Sequence, residues 1–452
     1  MSFTVWQRIR GKTNAGRKLL RKTDPCCCGW GRKRTAIHRG DKAMSLLWLS
    51  HFVPYPPKGG SYQRSYNLLK ETARKNDVYL IALKHKTSTH PQAEIELAKK
   101  ELGVFCKEVH IIDISSRISG ASMYMLSLKS LLQGIPLSVS MYQFPEMSCC
   151  IKEVSERVQF DVVHFDTISL AIHRKDVGSA ATVMNHHNVE SFMMTRRVAN
   201  EPNLLKRLFF RLEGWRLRKY EKEYCAKFRL NLAVSEPDSE MFREIAPDAR
   251  FEVVSNGVDT RYFLPENDYK KKSRLIFAGR LDQYSNKDAI LHFCTKAWPL
   301  VKEANPEITL TIIGSGVASQ QLTEIARNDN RIELLGYVDD VRPYFAESLA
   351  MVCPIRDGGG TRLKILDAMA MGMPIVSTTI ACEGIDVAKE EELLIADTPE
   401  EFNEQIHRVY TDDALRASLG VKARAKAEML YSWDIIGKKL NRLYAELKVS
   451  AS

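Results

Sequence analysis

The sequence predicts an α/β protein built as two doubly wound domains that face each other across a cleft. Three observations carry this. Short apolar runs alternate with helical segments along most of the chain, the pattern of parallel sheets covered on both faces. The alternation breaks once, at a polar stretch over 265–273 that holds Asp268 and three consecutive lysines, and then restarts. At 452 residues the chain also exceeds the usual size of one domain.

Taken in order, 44–51 reads as a buried first strand, followed by a Pro/Gly-rich loop and a helical stretch over 62–74. The runs 78–83, 109–112, 162–165, 181–184 and 230–234 are the further strands of the first half. After the break, 275–278, 308–313, 332–335, 350–353 and 375–377 are strand-like, with helices expected at 287–303, 318–328, 362–371 and 400–411. Ile436, Leu440, Leu443 and Leu447 give the end of the chain one apolar helical face. The organisation expected is a basic leader over 1–43, a Rossmann-like domain over 44–264, a linker over 265–273, a second Rossmann-like domain over 274–432 and a closing helix over 433–452.

Composition removes several function classes. The net charge of +11 suggests nucleic acid until it is located: residues 1–43 hold twelve Lys and Arg against Asp24 and Asp41, which leaves the rest at +1. A basic leader on a near-neutral body is not a nucleic-acid-binding domain. The leader lacks a partner in the domain pattern and is expected to be dispensable. Apolar runs stop well short of the roughly 18 residues a membrane span needs. Ten cysteines without metal-site spacing fit a reducing cytoplasm, and no metal or cofactor is expected.

In doubly wound sheets ligands bind beyond the carboxyl ends of strands, so the loops there carry the chemistry. Pro56-Pro57-Lys58-Gly59-Gly60-Ser61 joins the first strand to the first helix, and its paired glycines let backbone N–H groups approach an anion. Gly279-Arg280 opens the second half, where Arg280 and Lys287 could pair with a diphosphate. Asp357-Gly358-Gly359-Gly360-Thr361-Arg362-Leu363-Lys364 is a glycine nest with two added cations, and Asp367 lies far enough along the following helix to accept from ribose hydroxyls. His187 follows the strand ending at Met184, where it could touch a sugar or exchange a proton with it; a structural hydrogen-bonding role is the other reading. Asp339-Asp340 reads as a helix cap.

With these loops on the page, the chain from Met44 to about Leu447 resembles the retaining glycosyltransferases of the large "group 1" family, whose fold is called GT-B. The resemblance rests on Gly59-Gly60, His187-Asn188-Val189-Glu190-Ser191, Ser235-Glu236-Pro237-Asp238, Asn256-Gly257-Val258-Asp259, Gly279-Arg280 with Lys287, Gly336-Tyr337-Val338, and the run from Gly360 to Ala370. It implies a nucleotide diphosphate-sugar donor, retention at the anomeric carbon, no required metal, and a glycan or lipid-linked acceptor in cell-surface polysaccharide assembly. It also implies that Tyr337 and Val338 meet the donor base, that His187 faces the transferred sugar, and that Arg280 and Lys287 hold the leaving diphosphate. The family's usual pair of glutamates, eight positions apart, falls here on Gly359 and Asp367, so only the second position keeps a carboxylate. A sugar-nucleotide epimerase of the same fold and a degenerate nucleotide-sugar-binding protein are the competing readings.

One segment points elsewhere. Leu204, Leu205, Leu208, Phe209, Leu212 and Trp215 recur at helical spacing among Lys206, Arg207, Arg211, Arg216, Arg218 and Lys219. Two readings stand open: a helix packing its apolar side on the first domain, or a basic amphipathic helix lying on anionic lipid at the inner face of the plasma membrane.

Overall fold

The computed structural model describes residues 43–57, 59–85, 91–115, 121–265, 273–357 and 360–449. Nearly all of the expected leader, most of the linker, Lys58, Gly358 and Gly359 lie outside the described residues.

Residues 43–449 build two parallel sheets. The first holds β1 (Ser45–Ser50), β2 (Asp77–Lys84), β3 (Glu108–Asp113), β4 (Val162–Phe165), β5 (Ala181–Asn185), β6 (Leu230–Ala233) and β7 (Phe251–Val253). The second holds β8 (Arg274–Ala278), β9 (Thr309–Ile313), β10 (Ile332–Gly336), β11 (Ala350–Cys353), β12 (Ile375–Ser377) and β13 (Leu394–Ile395). Their orders are β3-β2-β1-β4-β5-β6-β7 and β10-β9-β8-β11-β12-β13, so the predicted doubly wound α/β class is the observed one. The strands that sequence reading missed, β7 and β13, are three- and two-residue edge strands, too short to show a pattern.

The alternation of side chains explains the layering. In β1, Leu46 and Trp48 enter the core on one face of the sheet, while Leu47 and Leu49 enter the core on the other. β8 repeats this, with Leu275 and Phe277 on one side and Ile276 on the other. Both faces are dry, so the strands read as apolar runs.

The closing helix, Trp433–Val449, packs on the first helix, Gly60–Ala73, and its Ile436, Leu440, Leu443 and Leu447 share a core with Leu68 and Leu69. Gly437 permits the contact, since a Cβ there would sit 2.4 Å from Glu71 Cβ. Tyr444 Oη and His164 Nδ1 form a hydrogen bond of 2.7 Å in the interior. The chain passes between the sheets twice, and the passages touch: Val258 N–H donates to Tyr431 O (2.7 Å) and Trp433 N–H to Val258 O (3.3 Å). The Trp433 ring lies where a Cβ on Gly257 would be, 2.7 Å away.

The segment with two open readings is the helix Leu204–Cys225. Its inward face is Glu213, Gly214, Leu217, Tyr220, Glu221 and Cys225. The apolar stripe therefore points out: Leu205 is 79% exposed, Leu208 65% and Trp215 55%. Nearby, Ser138 donates its N–H and Oγ–H to Glu213 Oε1 (3.1 and 3.3 Å), and the helix leading up to it, Ala121–Gln133, exposes Met125, Leu128, Leu131 and Leu132. Among the described residues no helix is long and apolar enough to cross a membrane.

Candidate active site

Each sheet has a switch point, where strand order reverses and crossovers leave on opposite faces, opening a crevice at the carboxyl ends. In the first sheet it lies between β1 and β4, and in the second between β8 and β11. The chemistry gathers at both.

At the first switch point, His51 follows β1, Asp166 follows β4 and His187 lies two residues beyond β5. Asp166 is fully buried and the centre of a network. His187 Nε2 lies 3.1 Å from its Oδ1 and 3.2 Å from its carbonyl oxygen, both acceptors, so Nε2–H donates and Nδ1 is turned away from Asp166. Asn185 Nδ2 donates to the same Oδ1 (2.7 Å), Ser65 Oγ–H donates to Oδ2, and His51 Nδ1–H donates to the carbonyl (3.1 Å). Arg64, 1% exposed, braces the far side through Asn185 Oδ1 (2.8 Å), Ser255 O (3.0 Å) and Asn256 Oδ1 (3.3 Å).

Burial alone would raise the Asp166 carboxyl, but His187, His164 and His51 hold it below the usual carboxylate range. Burial, with His187 and His85 beside it, pushes His51 down to about 3. His164, stacked on Trp48 at 3.6 Å, is pushed to about 3 for the same first reason. The network thus centres on one buried carboxylate, with burial disfavouring the charged form of the His51 and His164 rings beside it.

His51, Asp166 and His187 also place three ligand-type atoms within 4.8 Å of one another. Sequence reading found no such cluster, because its members are separated by 115 and 21 residues. Their polar atoms here are engaged with each other through Asp166.

At the second switch point the walls are backbone. A Cβ on Gly314 would lie 1.7 Å from Gly279 O, so only glycine lets the ends of β8 and β9 approach this closely. Gly360 has φ +79, a left-handed conformation that favours glycine. Cations sit on this floor. Lys364 Nζ donates to Asn286 Oδ1 (2.8 Å) and lies 4.7 Å from the Phe277 ring centroid. Burial pushes Lys364 down to about 8, and it lowers Arg362 as well. Burial raises Asp367 to about 7, opposed by Lys364.

The predicted residues divide accordingly. Arg280 points outward and forks onto Asp282, Nε to Oδ1 at 2.6 Å and Nη2 to Oδ2 at 2.9 Å. Lys287 is on the exposed side of its helix, whereas its neighbour Asn286 faces inward. The halves meet where Gly60 approaches Leu363, a Cβ there lying 3.8 Å from Leu363 Cδ1, and where one on Gly360 would lie 3.1 Å from Asn188 Oδ1. That brings Gly59, Gly60 and His187 to the side of Thr361, Arg362 and Lys364. Tyr337 and Val338 lie beyond the end of β10, further along the same edge. Asp340 accepts from Arg342 N–H at 2.9 Å just ahead of the helix Arg342–Glu347, but the N-cap residue is Val341 and no side chain caps the helix, so the expected cap is not the observed arrangement. His51, Arg64, Asp166 and Asn286 are additions that the sequence reading did not contain.

Comparison with known proteins follows the same division. Residues 59–262 match the family profile of "Glycosyltransferase Family 4", and residues 272–412 that of "Glycosyl transferases group 1". A GDP-mannose-dependent monoacylated alpha-(1-6)-phosphatidylinositol monomannoside mannosyltransferase of Corynebacterium glutamicum is 28% identical over 227 residues, 43% of this chain and 55% of that protein. An uncharacterized 44.6 kDa protein in the cps region of Klebsiella pneumoniae is 22% identical over 78% of this chain and 87% of its own length. The chain thus spans little more than half of the first relative and most of the second. Among solved structures, Anabaena HepE in complex with UDP and glucose superposes with a TM-score of 0.62 at 14% identity, covering 89% of this chain and all of that one. With both halves matched to glycosyltransferase families and the fold shared with solved GT-B proteins, the chain belongs to the group 1 glycosyltransferases.

Proposed function

We propose that the chain transfers a sugar from a nucleotide diphosphate-sugar to a glycan or lipid-linked acceptor, with retention at the anomeric carbon and without metal or cofactor. The observation that carries this is the apposition of two unlike surfaces: a histidine held by a buried carboxylate on one half, and a cationic, glycine-walled floor on the other. The floor suits a diphosphate. Arg280, Lys287, Arg362 and Lys364 supply positive charge where negative charge grows as the bond to the anomeric carbon breaks. Gly59, Gly60 and Gly360 line the approach, Tyr337 and Val338 face the base, and Asp367 takes the ribose. His187, with Nε2–H committed to Asp166, offers Nδ1 to the sugar. The Corynebacterium relative is named for GDP-mannose and HepE was solved with UDP and glucose, which supports this donor class.

The acceptor side of the reading is a role in cell-surface polysaccharide assembly on the cytoplasmic face of the membrane. The outward apolar stripe of Leu204–Cys225, interleaved with Lys206, Arg207, Arg211, Arg216, Arg218 and Lys219, suits anionic lipid, and the Corynebacterium relative is named for a phosphatidylinositol-based substrate.

A panel of nucleotide sugars screened by thermal stabilisation tests the donor reading, because a ligand at about 100 times its Kd adds ~2.7 kcal/mol to stability. The stabilising donor should then be consumed with an α- or β-anomer matching its own configuration, and chelation by EDTA should leave the rate unchanged. Inverted product, or a rate abolished by EDTA and restored by a divalent cation, would overturn retention or metal independence respectively.

A further inference from the structure

We propose that Lys364, held beneath Gly279 by Asn286, is the fixed cation of the diphosphate site, with Asn286 as its positioning residue. The proposal rests on the donor reading above and assigns a division of labour within it. Lys364 comes from the helix after β11, whereas Gly279 and Asn286 come from the segment after β8, so the pair closes the crevice of the second switch point. The ammonium is placed by three neighbours. Asn286 Oδ1 accepts from it at 2.8 Å, the face of Phe277 lies 4.7 Å away, and a Cβ on Gly279 would come within 2.5 Å of Nζ. Asn286 is itself anchored: 6% exposed, it donates through Nδ2 to Arg280 O (3.0 Å) and Gln283 Oε1 (3.2 Å).

The other candidate cations differ. Arg280 is two-thirds exposed and already forked onto Asp282, and Lys287 faces solvent. Neither is buried in the floor. A preorganised charge costs no reorganisation when the leaving group develops its own. Lys364 donates to an amide oxygen and faces an aromatic ring, and the carboxyl that acts on it, Asp367, is itself raised to about 7 by burial, so a phosphate oxygen supplies the full counter-charge.

A consequence follows for protons. The groups facing Lys364 are Cys353 from β11, Arg362 and Asp367 from its own helix, and Asn286 and Phe277 from the segment around Gly279. Burial first, then Arg362, pushes the ammonium down to about 8, with Cys353 and Asp367 opposing. Near pH 8 it is partly deprotonated, and an arriving diphosphate favours the charged form. Binding should therefore take up on the order of half a proton at pH 8, where the terminal phosphate of the ligand is already fully ionised.

Isothermal titration of UDP and GDP into the full chain, in two buffers of different ionisation enthalpy, reads this directly and needs no variant. Lys364→Met should abolish the uptake and weaken binding on the order of a hundredfold, and Lys287→Ala should leave the uptake in place. Asn286→Asp, which sets a carboxylate against the ammonium, should raise its titration and remove the uptake at pH 8, an effect that a merely structural role would not produce. Binding by the wild type without uptake at pH 8, or uptake there that survives Lys364→Met, overturns the proposal while sparing the donor reading. Absence of any nucleoside diphosphate binding overturns both.

Discussion

The two halves present the same topology and solve the problem of building a site in opposite ways. In the first, side chains do the work: Asp166, Asn185, Arg64, Ser65 and His187 fix one another far from water. In the second, backbone does it: Gly279, Gly314 and Gly360 shape the floor, and charges are set on or beside it. A side-chain network couples the site to the stability of its half, whereas a glycine floor flanked by the exposed Arg280 and Lys287 leaves their chemistry and folding separable.

The sharpest break between the halves should come from paired substitutions. Asp166→Ala strands the donors of His187, Asn185 and Ser65 in a dry interior and should cost on the order of 3–5 kcal/mol, read by denaturant unfolding, with turnover lost as well. Arg280→Ala should leave the unfolding midpoint where it was, since the side chain is exposed, yet lower turnover on the order of 10²–10³-fold. Arg280→Lys should rescue little, because a point charge does not reproduce a guanidinium fork. Equal stability losses in both variants would erase the distinction.

Acid should separate the halves next. His51, His164 and His186 are all in the first half and each is pushed to about 3, chiefly by burial. Their folded values lie below the unfolded value of about 6.5, so the unfolded chain takes up protons first as pH falls. Stability is then whole above about pH 6.5 and declines toward pH 3, by up to ~1.4 kcal/mol per pH unit for each ring. Asp367 in the second half runs the other way. Its folded value of about 7 lies above the unfolded one, so its contribution is whole below about pH 4 and is lost as pH rises toward 7. Hydrogen exchange between pH 7 and 5 should show protection falling in β1, β4 and β5 before β8 and β11.

The smallest effect on folding belongs to the outward stripe. Leu205→Glu with Leu208→Glu should shift stability by no more than about 0.5 kcal/mol per site. The same pair should abolish flotation with anionic vesicles, while neutral vesicles bind neither protein. Equal binding of the wild type to both vesicle types would sink the electrostatic account.

What the sequence disclosed follows the same contrast. The apolar strands and glycine loops were legible because each is a local pattern: β4 and β11 fall on the residues predicted. The network was not. Asp166 looks like any polar residue after a strand, and Arg64 like a solvated helix cation, until tertiary contact with residues 121 and 192 positions away makes it a brace. One signal was available, a lone carboxylate directly after a buried run. Asn286 is one position and so about 100° around the helix from Lys287, and the loop pattern does not distinguish the inward amide from the outward cation. Periodicity also displayed the stripe at 204–215 without saying what it faces.

The paired passages at Val258 and Ser432 carry one more consequence. Because both connections between the halves run side by side and are bonded to each other, the molecule is joined along one line, like the spine of a book. The halves can swing about that line with Val258–Tyr431 and Trp433–Val258 intact, but sliding or twisting apart would tear both bonds and pull the Trp433 ring from Gly257. Any opening to admit a donor is thereby expected to follow a single angular coordinate, one that keeps His187 in line with the glycine floor.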